Sequence, residues 1–171
     1  MKAVIISYSQ TGRNAKLAQM VSQELGIDNI KIVEKNQRKL MTVAWDLVFN
    51  RVPKVQPDPR EMDKYDIALL FTPVWMGAPA TPTRAYLKHL KKSGQQYAFL
   101  SLCGGAGEKN PMLEGSIIKT VGRSPELLME QHVSDLIGDD ATREMTEKYN
   151  VSEAEYEMLC KKFAGAIREI L

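Results

Sequence analysis

The residues with the clearest chemical potential form a short, hydroxyl-rich turn near the start of the chain. An apolar run at 3–6 precedes the turn and a helical pattern follows it, which predicts a strand, a turn and a helix N-terminus. Unpaired backbone N–H groups and the positive end of the helix dipole favour an anion at such a position. Ser9, Thr11 and Asn14 add side-chain donors, and Gly12 allows the turn to tighten. Because no Walker lysine and no G-x-G-x-x-G motif is present, a phosphomonoester fits better than a nucleoside triphosphate or a dinucleotide.

Two further loops are expected to lie beside this turn. One reads TPVWMGAP over 72–79, and the other reads CGGAG over 103–107. In a doubly wound sheet, ligands bind beyond the carboxyl ends of the strands, where the strand order reverses. Glycine permits close approach of the backbone to a flat ligand. A phosphate at the first loop and a planar ring between the other two predict a mononucleotide with a large aromatic head.

Alternating apolar runs and amphipathic stretches are expected to position these loops. This alternation is typical of a parallel sheet covered on both faces. Strands are predicted at 3–7, 30–34, 66–72, 97–103 and 126–132, and helices around 17–25, 40–48, 82–90, 112–120 and 152–170. Ser152 and Glu155 form a capping box at the start of the last helix. The segments 52–62 and 139–150 are predicted to be connections, and the whole chain, 1–171, a single α/β domain with a doubly wound five-stranded parallel sheet.

Composition excludes several classes of protein. The net charge of +2 is too small to indicate a nucleic-acid or membrane-surface partner. No apolar run approaches a membrane span, and the first one is too short for a signal peptide. Two cysteines do not require a disulfide framework. We therefore expect a cytoplasmic protein that binds neither nucleic acid nor membrane.

The three loops together resemble those of the flavodoxin-like superfamily, which binds FMN. The shared features are the Ser-x-Thr-Gly-x-Asn turn, the Thr-Pro-Val-Trp-x-Gly-x-Pro loop and the glycine loop, in the same order over essentially the whole chain. The resemblance implies a strand order of 2-1-3-4-5 and non-covalently bound FMN. It implies that the FMN phosphate is held by Ser9, Gln10, Thr11, Gly12, Arg13 and Asn14. The isoalloxazine ring would lie between Thr72, Pro73, Val74, Trp75, Met76 and Gly77 on one side and Cys103, Gly104, Gly105 and Gly107 on the other.

Two departures from electron-carrier flavodoxins indicate an oxidoreductase. Those carriers usually have an aromatic residue in the third loop, whereas this loop offers Cys, Gly and Ala, so stacking on Trp75 would leave the opposite flavin face open to a nicotinamide or a quinone. Carriers are also typically acidic, and the cations Arg13, Arg84 and Lys109 near the loops should stabilise a reduced, anionic flavin. We expect electron transfer from NAD(P)H to a quinone or other small acceptor.

Two other functions stay open at this point. The chain resembles non-catalytic carriers that dock on redox protein partners, and it is also compatible with a protein that keeps the fold without binding flavin. Related reductases often pair as homodimers to complete the pocket, and the sequence leaves the oligomeric state open. No catalytic residue is assigned, since flavin chemistry needs no protein nucleophile or general base.

Several reactive residues have a simpler interpretation. Cys103 would lie beside the flavin, yet thiols are commonly buried packing residues. His89 and His132 have no Cys or Asp at metal-ligand spacing, so no metal site is expected. The alternative interpretation of Trp75 is a core tryptophan that is shielded from solvent by Tyr86. Residues 31–60 contain seven Lys and Arg but only three Asp and Glu. This excess of positive charge indicates either a solvated surface or a docking surface for an acidic redox partner or for the extra phosphate of NADPH.

Overall fold

The computed structural model describes residues 1–34, 52–104 and 110–171. Within these ranges the strands are β1 (Ala3–Ser7), β2 (Asp28–Lys31), β3 (Val33–Glu34), β4 (Val55–Gln56), β5 (Ile67–Phe71), β6 (Val74–Trp75), β7 (Ala78–Pro79), β8 (Gln96–Cys103) and β9 (Leu127–His132). The α-helices are α1 (Arg13–Leu25), α2 (Arg84–Ser93), α3 (Leu113–Val121), α4 (Ser134–Ile137), α5 (Arg143–Lys148) and α6 (Glu153–Arg168). Short 3₁₀ helices cover Pro59–Met62 and Thr81–Thr83.

The centre of the molecule is a five-stranded parallel sheet in the order β2-β1-β5-β8-β9. Counted along the chain, its members follow the order 2-1-3-4-5. The winding reverses between β1 and β5, so a crevice opens at the carboxyl ends of these two strands. The predicted doubly wound α/β architecture is confirmed, and the loops that follow β1, β5 and β8 lie at one edge of the sheet.

The strand predicted at 30–34 is wrong in its bounds. β2 pairs with β1 from Asp28 to Lys31, and after Ile32 the residues Val33 and Glu34 form β3, which pairs antiparallel with β4. β2 lies at the edge of the sheet and is only partly buried. Such a strand has little apolar periodicity, which is why the sequence pattern misplaces it.

Helices cover both faces of the sheet, as predicted. On one face, Leu17 and Val21 of α1 pack with Phe163 of α6, and on the other Tyr86 and Leu90 of α2 form a second core. Strand residues alternate between the two cores, since successive side chains of a strand point to opposite faces. The capping box of α6 is present. The helix predicted around 40–48 lies outside the described residues.

The two predicted connections contain short regular elements. The first, 52–62, includes β4 and a 3₁₀ helix, and the second, 139–150, contains α5. The Thr142 hydroxyl caps α5 by accepting from the Met145 N–H at 3.3 Å. Because α5 is polar and mostly exposed, it lacks the apolar stripe from which helices are predicted. Among the described helices, none has the length and apolar character needed to span a bilayer.

Candidate functional site

The predicted phosphate turn lies at the carboxyl end of β1 and leads into α1. Gly12 is the N-cap residue with a φ of +87°, a conformation that favours glycine. No side chain caps α1, and its first turn contains no acidic residue. The N–H groups of this turn have no intrahelical partner. Arg13 and Lys16 lie here instead, although the helix dipole disfavours cations at this end. Lys16 forms an ion pair with Glu153 of α6, whereas Arg13 donates to backbone carbonyls, so Arg13 is the cation that favours an anion at this turn.

Ser9 provides the most specific feature of this turn. Its Oγ is buried and has no hydrogen-bond partner among the residues that the structure describes. An unpartnered buried hydroxyl costs about 1–3 kcal/mol of folding free energy. An anionic oxygen at the turn would satisfy this hydroxyl. Gln10 and Thr11, by contrast, are exposed at the rim.

Arg13 joins the turn to two other parts of the chain. Its Nη2 donates to the carbonyl oxygens of Thr146 at 3.0 Å, Glu147 at 3.2 Å and Tyr149 at 2.5 Å. Its Nη1 lies near the third loop, because a Cβ built on Gly104 would lie 3.3 Å from it. The guanidinium is therefore held at the turn by the C-terminal end of α5, and Gly104 leaves room for it.

Asn14 has a different position from the one expected. Its side chain is only 2% exposed, Nδ2 donates to the Leu102 carbonyl at 2.9 Å, and Oδ1 accepts from the Leu102 N–H at 2.9 Å. The expectation that this side chain donates to a phosphate is corrected here, since both polar groups are engaged with β8. The contribution of Asn14 to an anion site is limited to its backbone N–H in the first helical turn.

The second predicted loop is a hairpin in which β6 and β7 pair antiparallel. Met76 and Gly77 form its two-residue turn, with φ values of +48° and +79°. Positive φ at both positions is typical of a type I′ hairpin turn. The Ala80 N–H closes the loop by donating to the Pro73 carbonyl at 3.0 Å. Thr72 is buried beneath it, 2.7 Å from the Thr83 hydroxyl, so hydrogen bonds at its base hold the hairpin at the sheet edge.

The tip of the hairpin has one open side and one packed side. The Met76 side chain is 86% exposed. Gly77 is buried against the segment that precedes α3, where an added Cβ would lie 3.0 Å from Met112 Cε and 3.2 Å from Asn110 Oδ1. A side chain at this glycine would therefore require either the Asn110–Met112 segment or the hairpin tip to shift.

Trp75 is half-buried, as is its neighbour Val74. The Trp75 ring makes an edge-to-face contact with Tyr8, with centroids 6.0 Å apart at 80°, and the Tyr8 hydroxyl donates to Glu34 at 2.8 Å. Tyr86, the residue considered as its shield in a core, is fully buried and donates to the Pro57 carbonyl at 2.7 Å. Tyr8, which sequence reasoning missed, is therefore the residue that orients this tryptophan.

The third predicted loop begins at the carboxyl end of β8. Cys103 is buried there, and burial raises the pKa of its thiol to about 12. A protonated thiol is a poor nucleophile at neutral pH. The adjacent Gly104 is exposed. Gly105 and Gly107 lie outside the described residues, as do Lys109 and most of the basic residues between 31 and 60.

Residues of β9 complete the surroundings of Cys103. Its Sγ donates to Glu130 Oε1 at 3.7 Å, and His132 lies directly beside it in the parallel register. No Cys lies at metal-ligand spacing from His132 along the chain, yet Cys103 lies beside it on the paired strand. Spacing along the chain does not reveal neighbours of this kind. His89 lies elsewhere, 2.5 Å from Asp63 at the surface.

Comparison with models of known protein families gives no match, and neither does comparison with curated proteins. Solved structures do match. A flavoprotein from Lactobacillus acidophilus NCFM, crystallised in complex with FMN, has a TM-score of 0.62 at 21% identity, covering 80% of this chain and 95% of that one. Oxidised flavodoxin 1 from Bacillus cereus has a TM-score of 0.57 at 13% identity, covering 100% and 99%. A WrbA-like flavodoxin from Agrobacterium tumefaciens has a TM-score of 0.50 at 14% identity, covering 98% and 97%. At these identities, the likeness establishes the flavodoxin-like fold.

Proposed function

We propose that this chain is an FMN-dependent oxidoreductase that passes electrons from NAD(P)H to a quinone or another small acceptor. The observation that carries the proposal is the buried, unpartnered Ser9 hydroxyl at the N-terminus of an uncapped helix. A phosphomonoester supplies the acceptor oxygens and the negative charge that this turn lacks. The FMN complex of the L. acidophilus flavoprotein, which has a similar fold, supports the choice of FMN.

The residues at the sheet edge fit this cofactor. Ser9, with the backbone of the first turn of α1, would hold the phosphate, and Arg13 would add a fixed cation beside it. Trp75, with the Met76–Gly77 turn, would flank one side of the ring, and the β8 end at Cys103, Gly104, Gly105 and Gly107 would flank the other. When bound, FMN supplies reversible one- and two-electron transfer.

The chain itself contributes positioning and electrostatics. Tyr8 orients Trp75 by an edge contact, and the hairpin turn holds its backbone at the sheet edge. The described residues that follow β8 and precede α3, Gly104 and 110–112, include no aromatic side chain. This composition supports an accessible ring face, on which donor and acceptor would bind in turn. The cation of Arg13 would favour a reduced, anionic flavin.

Titration calorimetry with Ser9→Ala tests the phosphate assignment. We expect wild-type protein to bind FMN and the variant to bind it about tenfold more weakly, the cost of about one hydrogen bond to a charged group. Riboflavin, which lacks the phosphate, should bind both proteins equally. Ser124→Ala, at an exposed serine, is the matched control and should leave the FMN affinity unchanged. An absence of heat with wild-type protein, or an equal loss for riboflavin, contradicts the assignment.

A second candidate, a non-catalytic electron carrier, is favoured by one surface feature. A cleft of about 840 Å³ between α2 and α3 begins at β7, and among the residues that the structure describes its lining includes five basic side chains and no acidic one. The cations of this cleft, here called the basic cleft, are Arg84, Lys88, Lys91, Lys92 and Lys119. Charge complementarity of this kind steers an acidic redox protein toward the flavin edge.

Steady-state kinetics separates the two candidates. Saturable NADPH or NADH oxidation with a quinone acceptor is expected of the oxidoreductase. A carrier shows no such turnover and transfers electrons only when a partner reductase is added. The second result would replace the oxidoreductase by the carrier, while FMN binding would stand in both cases.

A further inference from the structure

The carboxyl ends of β8 and β9 bring three chemically different donors together. The parallel register places Cys103 beside His132 and Ser101 beside Glu130. Residues two apart on a strand share a face, so these side chains lie on the same side of the sheet. The donor atoms of Cys103, Glu130 and His132 all lie within 4.8 Å of one another.

His132 supplies an independent indication that this cluster takes a ligand. The residue is only 9% exposed, and both of its ring nitrogens are buried without a hydrogen-bond partner in the described part of the chain. A neutral imidazole offers one donor and one acceptor, and buried polar groups are almost always satisfied. An imidazole left in this way beside a thiol and a carboxylate has the surroundings of a metal ligand.

We propose that Cys103, Glu130 and His132 bind a divalent transition-metal ion, with Zn²⁺ as the ion that the donor set suits. Thiolate, imidazole and carboxylate are the three ligand types that zinc accepts. Bond lengths of about 2.0–2.3 Å place tetrahedral donors about 3.3–3.6 Å apart. The Cys103 Sγ and Glu130 Oε1 atoms, at 3.7 Å, are within about 0.1 Å of this range, and a ring nitrogen of His132 lies within 4.8 Å of the thiol and of a carboxylate oxygen.

Metal binding at this site requires no oxidant or reductant. The Cys103 S–H bond breaks, its proton passes to solvent, and the sulfur electron pair forms the bond to the metal. The carboxylate and the neutral imidazole bind through lone pairs. Three protein ligands leave a fourth position for water or another small ligand, as in zinc sites that are not purely structural.

Neighbouring groups support the ligands. Glu130 Oε2 accepts from the Asn110 N–H at 3.3 Å, and Ser101 Oγ lies 3.3 Å from Cys103 Sγ. Partners of this kind orient metal ligands and raise the affinity of a site. These ligands and their neighbours are assembled by protein contacts alone, so this proposal stands whether or not the chain binds FMN.

Cobalt substitution tests the site in the intact 171-residue chain. After chelator treatment, Co²⁺ is added and difference spectra are taken against the same protein without Co²⁺, so that any flavin absorption cancels. We expect a thiolate-to-Co²⁺ charge-transfer band and tetrahedral d–d bands that saturate at one equivalent and are displaced by Zn²⁺. Cys103→Ser should abolish the charge-transfer band, and His132→Asn and Glu130→Gln should each weaken binding more than tenfold.

Matched variants and a folding check make the outcome decisive. Cys160→Ser and His89→Asn change the same residue types away from the cluster and should keep the full spectrum. Circular dichroism verifies that each variant is folded. If Cys103→Ser and His132→Asn do not fold, the Co²⁺ affinity of Glu130→Gln is the measurement that decides whether the site exists. The proposal is overturned if wild-type protein gives no thiolate band, if the band survives in folded Cys103→Ser, or if Cys160→Ser removes it.

Discussion

The side chain of Asn14 pairs with the backbone of Leu102 in both directions. It donates to the carbonyl and accepts from the N–H, each at 2.9 Å, in a fully buried position. This pair ties the first turn of α1 to β8, so the phosphate turn and the loop after β8 are held at a constant separation. The contact is a positioning device for the predicted cofactor site.

Removing this pair should destabilise the fold strongly. Asn14→Ala leaves two buried backbone groups of Leu102 without partners, at about 1–3 kcal/mol each, so we expect a loss of about 2–6 kcal/mol in the free energy of unfolding. Urea denaturation measures it. Asn150→Ala, at an exposed asparagine, should stay within about 0.5 kcal/mol of wild type. Equal stability of the two variants would contradict the structural role of Asn14.

Gly77 and Gly94 offer a matched pair of glycines with positive φ. A Cβ at Gly77 would lie 3.0 Å from Met112 Cε, whereas a Cβ at Gly94 would meet nothing within 4 Å. Both alanine variants carry the left-handed backbone cost of about 1–2 kcal/mol, which thermal unfolding measures. Gly77→Ala alone should displace the hairpin and lower FMN affinity about tenfold or more, as read by calorimetry. Similar FMN affinities for the two variants would show that packing of the hairpin tip does not affect FMN binding.

The capping box of α6 makes a definite contribution to the pH dependence of stability. Hydrogen bonds from Ser152 and from the Tyr149 hydroxyl hold the pKa of Glu155 below its ordinary value of 4.5. A carboxyl whose pKa is lowered by folding stabilises the protein above its unfolded pKa. That stabilisation is lost as the pH falls through the folded pKa.

Glu155→Gln should therefore flatten the acid limb of the stability profile. The amide keeps an acceptor oxygen for the cap but has no titration, so wild type should lose more stability than the variant between about pH 7 and pH 3. Urea midpoints across this range measure the difference. Glu157→Gln removes an exposed carboxylate on the same helix and should follow the wild-type profile. Superimposable profiles for Glu155→Gln and wild type would count against the coupling.

The basic cleft should steer anionic electron acceptors. Lys91→Glu is expected to lower the rate at which ferricyanide oxidises the reduced flavoprotein by about two- to fivefold at low salt, and to flatten the dependence on ionic strength. Stopped-flow absorbance measures both. Lys161→Glu makes the same charge change at an exposed site on α6 and should have a smaller effect. If both variants slow the reaction equally, net charge rather than the cleft is responsible.

The sheet, its flanking helices and the location of the candidate site could be predicted because their signals are local. Buried parallel strands read as apolar runs, the α6 cap needs residues only three positions apart, and the Ser9–Asn14 turn lies between a strand and a helix. The misplaced β2 and the missed α5 lack such signals. One is a partly buried edge strand, and the other is a polar helix held by a threonine cap.

The sequence by itself determined the order of the elements and the loops that meet at the carboxyl edge of the sheet. Only the tertiary structure decided which side chains those loops present. Asn14 bonds to Leu102, and Cys103 lies beside His132, because helical crossovers bring distant strands into a particular register. That register cannot be read from spacing along the chain, because the register is set by how the two cores pack on the sheet.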